Sequence, residues 1–414
     1  MSAKRTIFNQ CRGKQRGAVL MVMLVIMIIG AVTIFVMSLN SSALQLERDK
    51  VTADALAKAK EALIGDTVAQ SPVSSAGYLR LPDLGFGIGG VPAEGSSAPN
   101  FSGNNTDYLV IGKAPWKTLG ISPSRDGQGE CPWYIVSGRF KNNPQTNALN
   151  WDTLGQIDVI DGNGNAIASN IAALLVAPGT PLDGQNRALS DPAYTQCGGN
   201  YDARNYLDSY NSSDAVSGAV NYFTGSTNNR VALNTNNKRF VMTNNNHYND
   251  QFLFVTTDDI FRPIIRRSDF FAQITALMND PYFQNVSITG SKGTSSITIS
   301  NNKCNGFLPP NQAFCANWLE MLLLTQLTPA SNITITTNSV PASVGPCNRV
   351  LIFGGQKTAA QVRLLATDKS NPANYLEAPN LAAFAVPTAT SSNFTGASTF
   401  NANTPSADLL TCIP

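Results

Sequence analysis

The chain has 414 residues, 29 Lys+Arg against 27 Asp+Glu and a single His, for a formal charge of +2. With only 14% charged residues it is poor in charge, and it has no basic stripe with interleaved aromatics with which to neutralise phosphates, so nucleic acid is not an expected partner. One His and seven Cys without any Cys-x-x-Cys argue against a structural zinc site, and no metal ligand is assigned.

Residues 1–17 contain Lys4, Arg5, Arg12, Lys14 and Arg16 and no acid, and the next charge is Glu47. The 29 uncharged residues from Ala18 to Leu46 exceed a secretory h-region of about 7–15 residues. At about 1.5 Å per residue they are long enough to cross a hydrocarbon core of about 30 Å. This predicts a transmembrane helix over 18–46 with its basic flank in the cytoplasm and the bulk of the chain outside it. Past Glu47 the helical pattern continues, with Leu44, Arg48, Val51, Ala55, Ala59 and Leu63 at spacings of three or four and Leu56 beside them. No Pro occurs between Ala18 and Ser71, so one helix of about 50 residues is expected over 18–70.

The remainder, about 340 residues, is long enough for one large or two moderate domains. Its Asn, Ser, Thr and Gly content suits a β-rich secreted body with many turns. Strands are predicted at 107–111, 133–136, 157–160, 172–176, 252–256, 295–299 and 350–353. Helices are predicted over 268–278, with Ser268 as N-cap, and over 312–327. Thr256 or Thr257 followed by Asp258 and Asp259 reads as a capped helix start. Trp116, Trp133, Trp151 and Trp318 read as packing aromatics.

An internal echo links two stretches. AALLVAPGTPLDGQNRAL is followed by Asn205-Tyr206-Leu207-Asp208, and RVLIFGGQKTAAQVRLL by Asn374-Tyr375-Leu376-Glu377. Each is an apolar strand, a Gly turn (Pro178-Gly179, Gly354-Gly355), a Gln-x-Arg or Gln-x-x-Arg-like step and an Asn-Tyr-Leu-acid tetrapeptide. The segments QFLFVTTDD and DLLTCIP that close them are loosely alike. A duplicated β unit explains this. The expected organisation is a leader over 1–17, a long helix over 18–70, a first head domain over 71–265, an inserted helical and hairpin subdomain over 266–346 carrying SITGSKGTSSITISNN, and a second repeat unit over 347–414.

Setting aside Cys11, six cysteines remain in a compartment that permits disulfides: Cys131, Cys197, Cys304, Cys315, Cys347 and Cys412. Six admit 15 pairings, of which we favour Cys304–Cys315, Cys347–Cys412 and Cys131–Cys197.

Catalysis finds little support. His247 lies in the Asn-rich MTNNNHYND and reads as a solvated loop residue, and no G-x-S-x-G elbow occurs. Gly85, Gly87 and Gly90 match G-x-G-x-x-G only formally, because no strand precedes them and VPAEG cannot open a helix. Asp161, Asn163 and Asn165 share the first spacings of a calcium loop, but Ala166 and Ala172 stand where Gly and Glu are required, so a hairpin turn is favoured. Asp126 and Glu130 are an equally weak pair. No catalytic residue and no cofactor is assigned.

The leader and long helix resemble the class III signal peptide and N-terminal helix of the type IV pilins and type II secretion pseudopilins. The resemblance implies an α+β fold, with a long transmembrane and amphipathic helix followed by a large β-rich, disulfide-bonded extracytoplasmic head. It implies cleavage by a prepilin peptidase after Gly17, leaving Ala18 as the mature N-terminus, and hence 24 Lys+Arg against 27 Asp+Glu once the five leader cations are gone. It names the inner membrane, the prepilin peptidase and other pilin or pseudopilin subunits as partners, and allows a weak expectation of calcium in the head. Major subunits of that family carry Glu at the fifth mature position, where this chain has Val22. A buried carboxylate implies a partner charge, and its absence removes one. A minor subunit, at the tip or initiating assembly, is therefore expected. The segments AKAKEALIGDTV, KAPWKTLGI and DGQGECPWYIVSGRFKN, together with the two Asn-Tyr-Leu motifs, also resemble a group of large prepilin-like proteins over most of the chain. The competing expectation is an uncleaved single-pass envelope protein whose head binds a partner.

Overall fold

The computed structural model describes residues 16–414 except 92, 102–104, 106, 146–148, 189–192, 199, 214, 217–218, 225–236, 287–303, 305, 308–310, 327–332, 338–342 and 386–391; within helix α1 the side chains of 16–19 and 33–41 are also outside the description. The chain forms an α+β structure with a β-rich body. The leader up to residue 15, the strand expected at 295–299 and the hairpin expected around it lie outside the described residues.

Helix α1 (Arg16–Ala69) is continuous over 54 residues, as the absence of Pro allows. Strands β1 (Tyr108–Lys113), β2 (Trp133–Val136), β3 (Ile157–Ile160), β4 (Ala166–Ile171), β5 (Ala173–Ala177), β6 (Tyr222–Thr224), β7 (Lys238–Val241) and β8 (Gln251–Val255) follow. Then come α2 (Thr257–Ile264), α3 (Ser268–Met278), α4 (Tyr282–Asn285) and α5 (Asn311–Trp318). Strands β9 (Leu322–Gln326), β10 (Ile333–Thr337), β11 (Ser343–Cys347) and β12 (Arg349–Phe353), the helices α6 (Ala366–Lys369) and α7 (Ala378–Ala385), and strands β13 (Ser392–Gly396) and β14 (Leu409–Ile413) complete the order.

The strands form two tandem units of one plan. In the first, β5 lies between β2 and β8, antiparallel to both, within the sheet β6-β1-β2-β5-β8. A second sheet has β3 at its centre, antiparallel to β4 across a register shift and parallel to β7. In the second unit β12 lies between β9 and β14, antiparallel to both. Its companion sheet has β10 at its centre, antiparallel to β11 across a register shift and parallel to β13. The two units thus share chain order, strand direction and the place of the irregularity, and the duplication is larger than the sequence echo: the stretch 266–346 supplies β9, β10 and all of β11 but Cys347 to the second unit. The helix expected over 312–327 ends at Trp318, and Leu322–Gln326 is a strand paired with β12. A short apolar run such as LLLTQ carries no periodicity that separates a buried strand from a buried helix, and sheet pairing decides it.

Two cores result. One lies between the five-stranded sheet and β4-β3-β7, built from Trp133, Ile135, Leu174, Val176, Phe240 and neighbours. The other is continuous from α1 through both units, taking in Leu56, Leu63, Leu175, Phe270, Trp318 and Phe353. Trp133, Trp151 and Trp318 are buried in these cores, whereas Trp116 is half-buried beneath Gly95. Helix α2 carries the expected capping box: Thr256 accepts from the Asp259 N–H and the Asp259 carboxylate accepts from the Thr256 N–H. Helix α3 begins at Ser268, but its N-cap residue is Arg267, which makes no side-chain cap. The Arg267 guanidinium turns instead to the carbonyls of Val68 and Gln70, closing the C-terminal end of α1.

Candidate functional site: the projecting helix and its seat

Every described side chain from Leu20 to Val51 is exposed except Gly30, which is intermediate. The exposure is not confined to a polar face: Leu20, Met21, Val22, Met23, Leu24, Val25, Ile26, Met27, Ile28 and Ile29 are all more than half exposed, Val22 at 58%. A helix surface apolar on all sides is of the kind that lipid or other protein surfaces cover. Gly17 and Ala18 lie in its first turn. Among the described residues no helix is long and apolar enough to cross a membrane.

From Thr52 the pattern changes to one buried stripe: Thr52, Ala55, Leu56, Ala59, Leu63 and Thr67, the three-and-four spacing of a helix lying on a surface. Leu44 and Val51, expected in this stripe, are exposed at 62% and 40%, because the apolar surface of the body covers the helix only from Thr52 onward and reaches Arg48 and Asp49 through loop and polar contacts alone. The stripe rests on β5, β8 and α2, where each buried Leu contributes about 1.5–3 kcal/mol. Polar contacts flank it. Lys60 Nζ donates to Asp259 (2.9 Å) and to the Phe254 carbonyl (3.0 Å), Lys58 to Ser122 Oγ (3.0 Å), and Arg80 pairs with Asp66 (2.9 Å).

The body holds two copies of one polar clamp. Arg187 donates to the carbonyls of Pro178, Gly179 and Asn205 and to Gln185 Oε1, and stacks on Tyr206 at 4.9 Å. Arg363 donates to the Asn374 carbonyl and Gln361 Oε1, and stacks on Tyr375 at 4.3 Å. The Asn of each tetrapeptide accepts from the residue between Gln and Arg: Asn205 from Asn186, Asn374 from Val362. The acid of each tetrapeptide donates its N–H to a buried Asp immediately before the last strand, Asp208 to Asp250 and Glu377 to Asp408. Desolvation raises the carboxyl of Asp250 well above its ordinary range and that of Asp408 to about 6. The tetrapeptide and the Gln-x-Arg step were visible in the sequence; Asp250 and Asp408 carried no signal beyond the loose likeness of the segments containing them.

A further buried group holds the loop before β1 to the 195–201 segment. Asp83 accepts from the N–H groups of Gly85 (2.8 Å) and Gly95 (2.7 Å) and from Tyr201 Oη (2.9 Å), and burial pushes its carboxyl up to about 6. Lys113 donates to the carbonyls of Cys197 and Gly198, and burial brings its ammonium down to about 8. Gly85, Gly87 and Gly90 belong to this anchored loop, within which Ile88–Gly90 form a short 3-10 turn and no strand-to-helix phosphate cradle. The cysteines pair as Cys131–Cys197, Cys304–Cys315 and Cys347–Cys412.

The other sequence candidates are dispersed. His247 is exposed, its N–H bonded to Asn245 Oδ1. Asp161 closes the β3–β4 hairpin, accepting from the N–H groups of Asn163 and Asn165. Asp126 organises its own loop, and Glu130 lies 3.9 Å from Arg187. Among the described residues no group of three or more His, Cys, Asp or Glu is placed to hold a metal ion. Comparison with family models, with curated proteins and with solved structures finds no match to this chain.

Proposed function

We propose that the chain is a minor, tip-located or initiating, subunit of a type IV pilus or type II secretion pseudopilus. In this reading it is inserted in the bacterial inner membrane with a cytoplasmic N-terminus and an extracytoplasmic head, and is cleaved by a prepilin peptidase after Gly17. Its work is assembly and not catalysis. The observation that carries the reading is the division of α1: one unbroken helix that is exposed and apolar on all sides before Val32, and seated by a single stripe after Thr52. A simple anchor has no need of the second half, and a purely structural helix has no need of the first. Lipid, and later the helices of other subunits, would cover the exposed half; each Leu, Ile, Val or Met so covered contributes about 1.5–3 kcal/mol. Val22 supports a minor place, since it offers no charge to a neighbour's N-terminus. A body of two units on one helix also suits few copies, because its bulk around every helix would crowd a filament.

Mass spectrometry of the N-terminus tests this. A mature chain starting at Ala18 in cells with the prepilin peptidase, and the intact leader in cells without it, is the expected result. An intact Met1 form in both strains would overturn the reading in favour of a permanently anchored envelope protein.

A further inference from the structure

Where α1 leaves the body, its last seated turn is gripped by a loop that is itself tied to the body. Gly127 lies so close to the helix that a Cβ there would stand 2.3 Å from the Arg48 carbonyl oxygen and 2.6 Å from its Cα. The Gly127 N–H donates to Thr52 Oγ1 (2.9 Å), and the same hydroxyl donates to the Arg48 carbonyl (2.9 Å). On the other side of this turn Gln251 of β8 donates to Asp49 at 3.3 Å. The loop itself is stiff. Asp126 Oδ1 accepts from the N–H groups of Gln128 and Glu130, both at 2.9 Å, and the Asp126 N–H donates back to the Glu130 carbonyl at 2.7 Å. Gly129 supplies the left-handed conformation (φ 89°) that closes the turn. Arg125 ties the loop to the carbonyl of Gln196, and the Cys131–Cys197 disulfide anchors both strands of this attachment.

The tandem plan provides an internal comparison. In the second unit the chain enters β9 directly from α5 through the short 3-10 turn Leu319–Met321, with no counterpart to residues 125–130. The loop is present in the unit from which a helix projects.

We propose that Arg125–Glu130 is a collar that fixes the direction in which α1 leaves the body, with Gly127 and Thr52 as its positioning residues. The proposal rests on the assembly reading for its purpose, since a projecting helix must be presented at one angle to join others, but its physical content is a property of the isolated chain. Thr52 bridges loop and helix through one hydroxyl, and Gly127 permits the contact because no side chain intervenes. Everything N-terminal to Arg48 is then a lever whose angle is set by one turn.

The test is a pair of nitroxide distance measurements on the full-length protein in detergent micelles, in a Cys11→Ser background. One pair of labels spans positions 46 and 167, on the projecting helix and on β4, and reports the helix direction. The second pair, at 88 and 167, lies entirely on the body and reports its integrity. The unsubstituted chain is expected to give a narrow distribution for both pairs. Gly127→Leu, which forces loop and helix apart, is expected at least to double the width of the 46–167 distribution and leave the 88–167 distribution unchanged. Thr52→Val, which keeps the shape and removes both hydrogen bonds, is expected to broaden 46–167 by a smaller factor. If Gly127→Leu also disturbs the body pair, Thr52→Val decides. Unchanged 46–167 widths in both variants, or in Thr52→Val alone when Gly127→Leu disturbs the body, overturn the collar and leave the assembly reading to the N-terminal analysis.

Discussion

The two units of the body build the same clamp from nearly the same residues and surround it differently. In the first, Arg187 faces Glu130 of its own unit at 3.9 Å; in the second, Arg363 pairs at 3.1 Å with Asp152, which comes from the first unit, and both side chains are almost fully buried (1% and 2% exposed). The segment around Asp152 enters the second unit as a whole: Trp151 packs on Trp318 and Phe353, and Asn150 donates to the Asn317 carbonyl. α1 packs on β5 and β8 in the first unit, whereas in the second Trp318 of α5 packs on Phe353 of β12. The Cys347–Cys412 bridge occupies the register positions held in the first unit by Ile171 and Phe254, both apolar. A repeated local motif therefore dictates its own hydrogen bonds and leaves its outer partners to whatever the rest of the chain brings.

The sharpest way to break this equivalence is to remove the arginines. Arg363→Met is expected to destabilise the protein by about 3–5 kcal/mol, because it strands the Asp152 carboxylate, whose second oxygen already has no partner, in the interior. Arg187→Met is expected to cost clearly less, since Glu130 is 26% exposed and returns to water. Chemical denaturation of both variants checks the order, and equal losses would mean that the clamp's own hydrogen bonds outweigh the ion pair. Replacing Cys347 and Cys412 by Ser together is expected to cost about 2–4 kcal/mol by freeing a loop of 65 residues, measured by thermal unfolding under non-reducing conditions.

The smallest effect is a pH slope. Asp408 has its carboxyl raised from 3.8 to about 6, so between these values the folded chain binds more protons than the unfolded one. Its contribution to stability is complete below pH 3.8 and is lost as pH rises through about 6. Asp408→Asn is expected to flatten that part of the stability profile, read from denaturation midpoints between pH 4 and pH 7.

How much of this could be read in advance depended on the distance over which each feature is decided. The helix α1, the capping box at Thr256, the strands at 133–136 and 157–160 and the hairpin turn at Asp161 follow from residues within a few positions of one another, and the sequence showed them. The Gln-x-Arg step and its tetrapeptide were legible as an echo. Their meaning was not, because the Asp at the foot of each last strand lies 42 residues from Asp208 and 31 from Glu377. The strand at 322–326 and the absorption of 266–346 into the second unit were hidden for the same reason, as sheet pairing is settled by partners far along the chain.

For the candidate site the division is equally physical. Sequence alone determined that the N-terminal helix would be long, apolar first and amphipathic afterwards, because charge, Pro content and periodicity are properties of a single segment. Only the tertiary structure decided where the seated half begins. Leu44 and Val51 fit the stripe as well as Leu56 does, yet burial begins only at Thr52, and one turn before it a glycine in a distant loop meets the helix backbone at Arg48. That boundary is set by what packs against the helix and not by the helix itself.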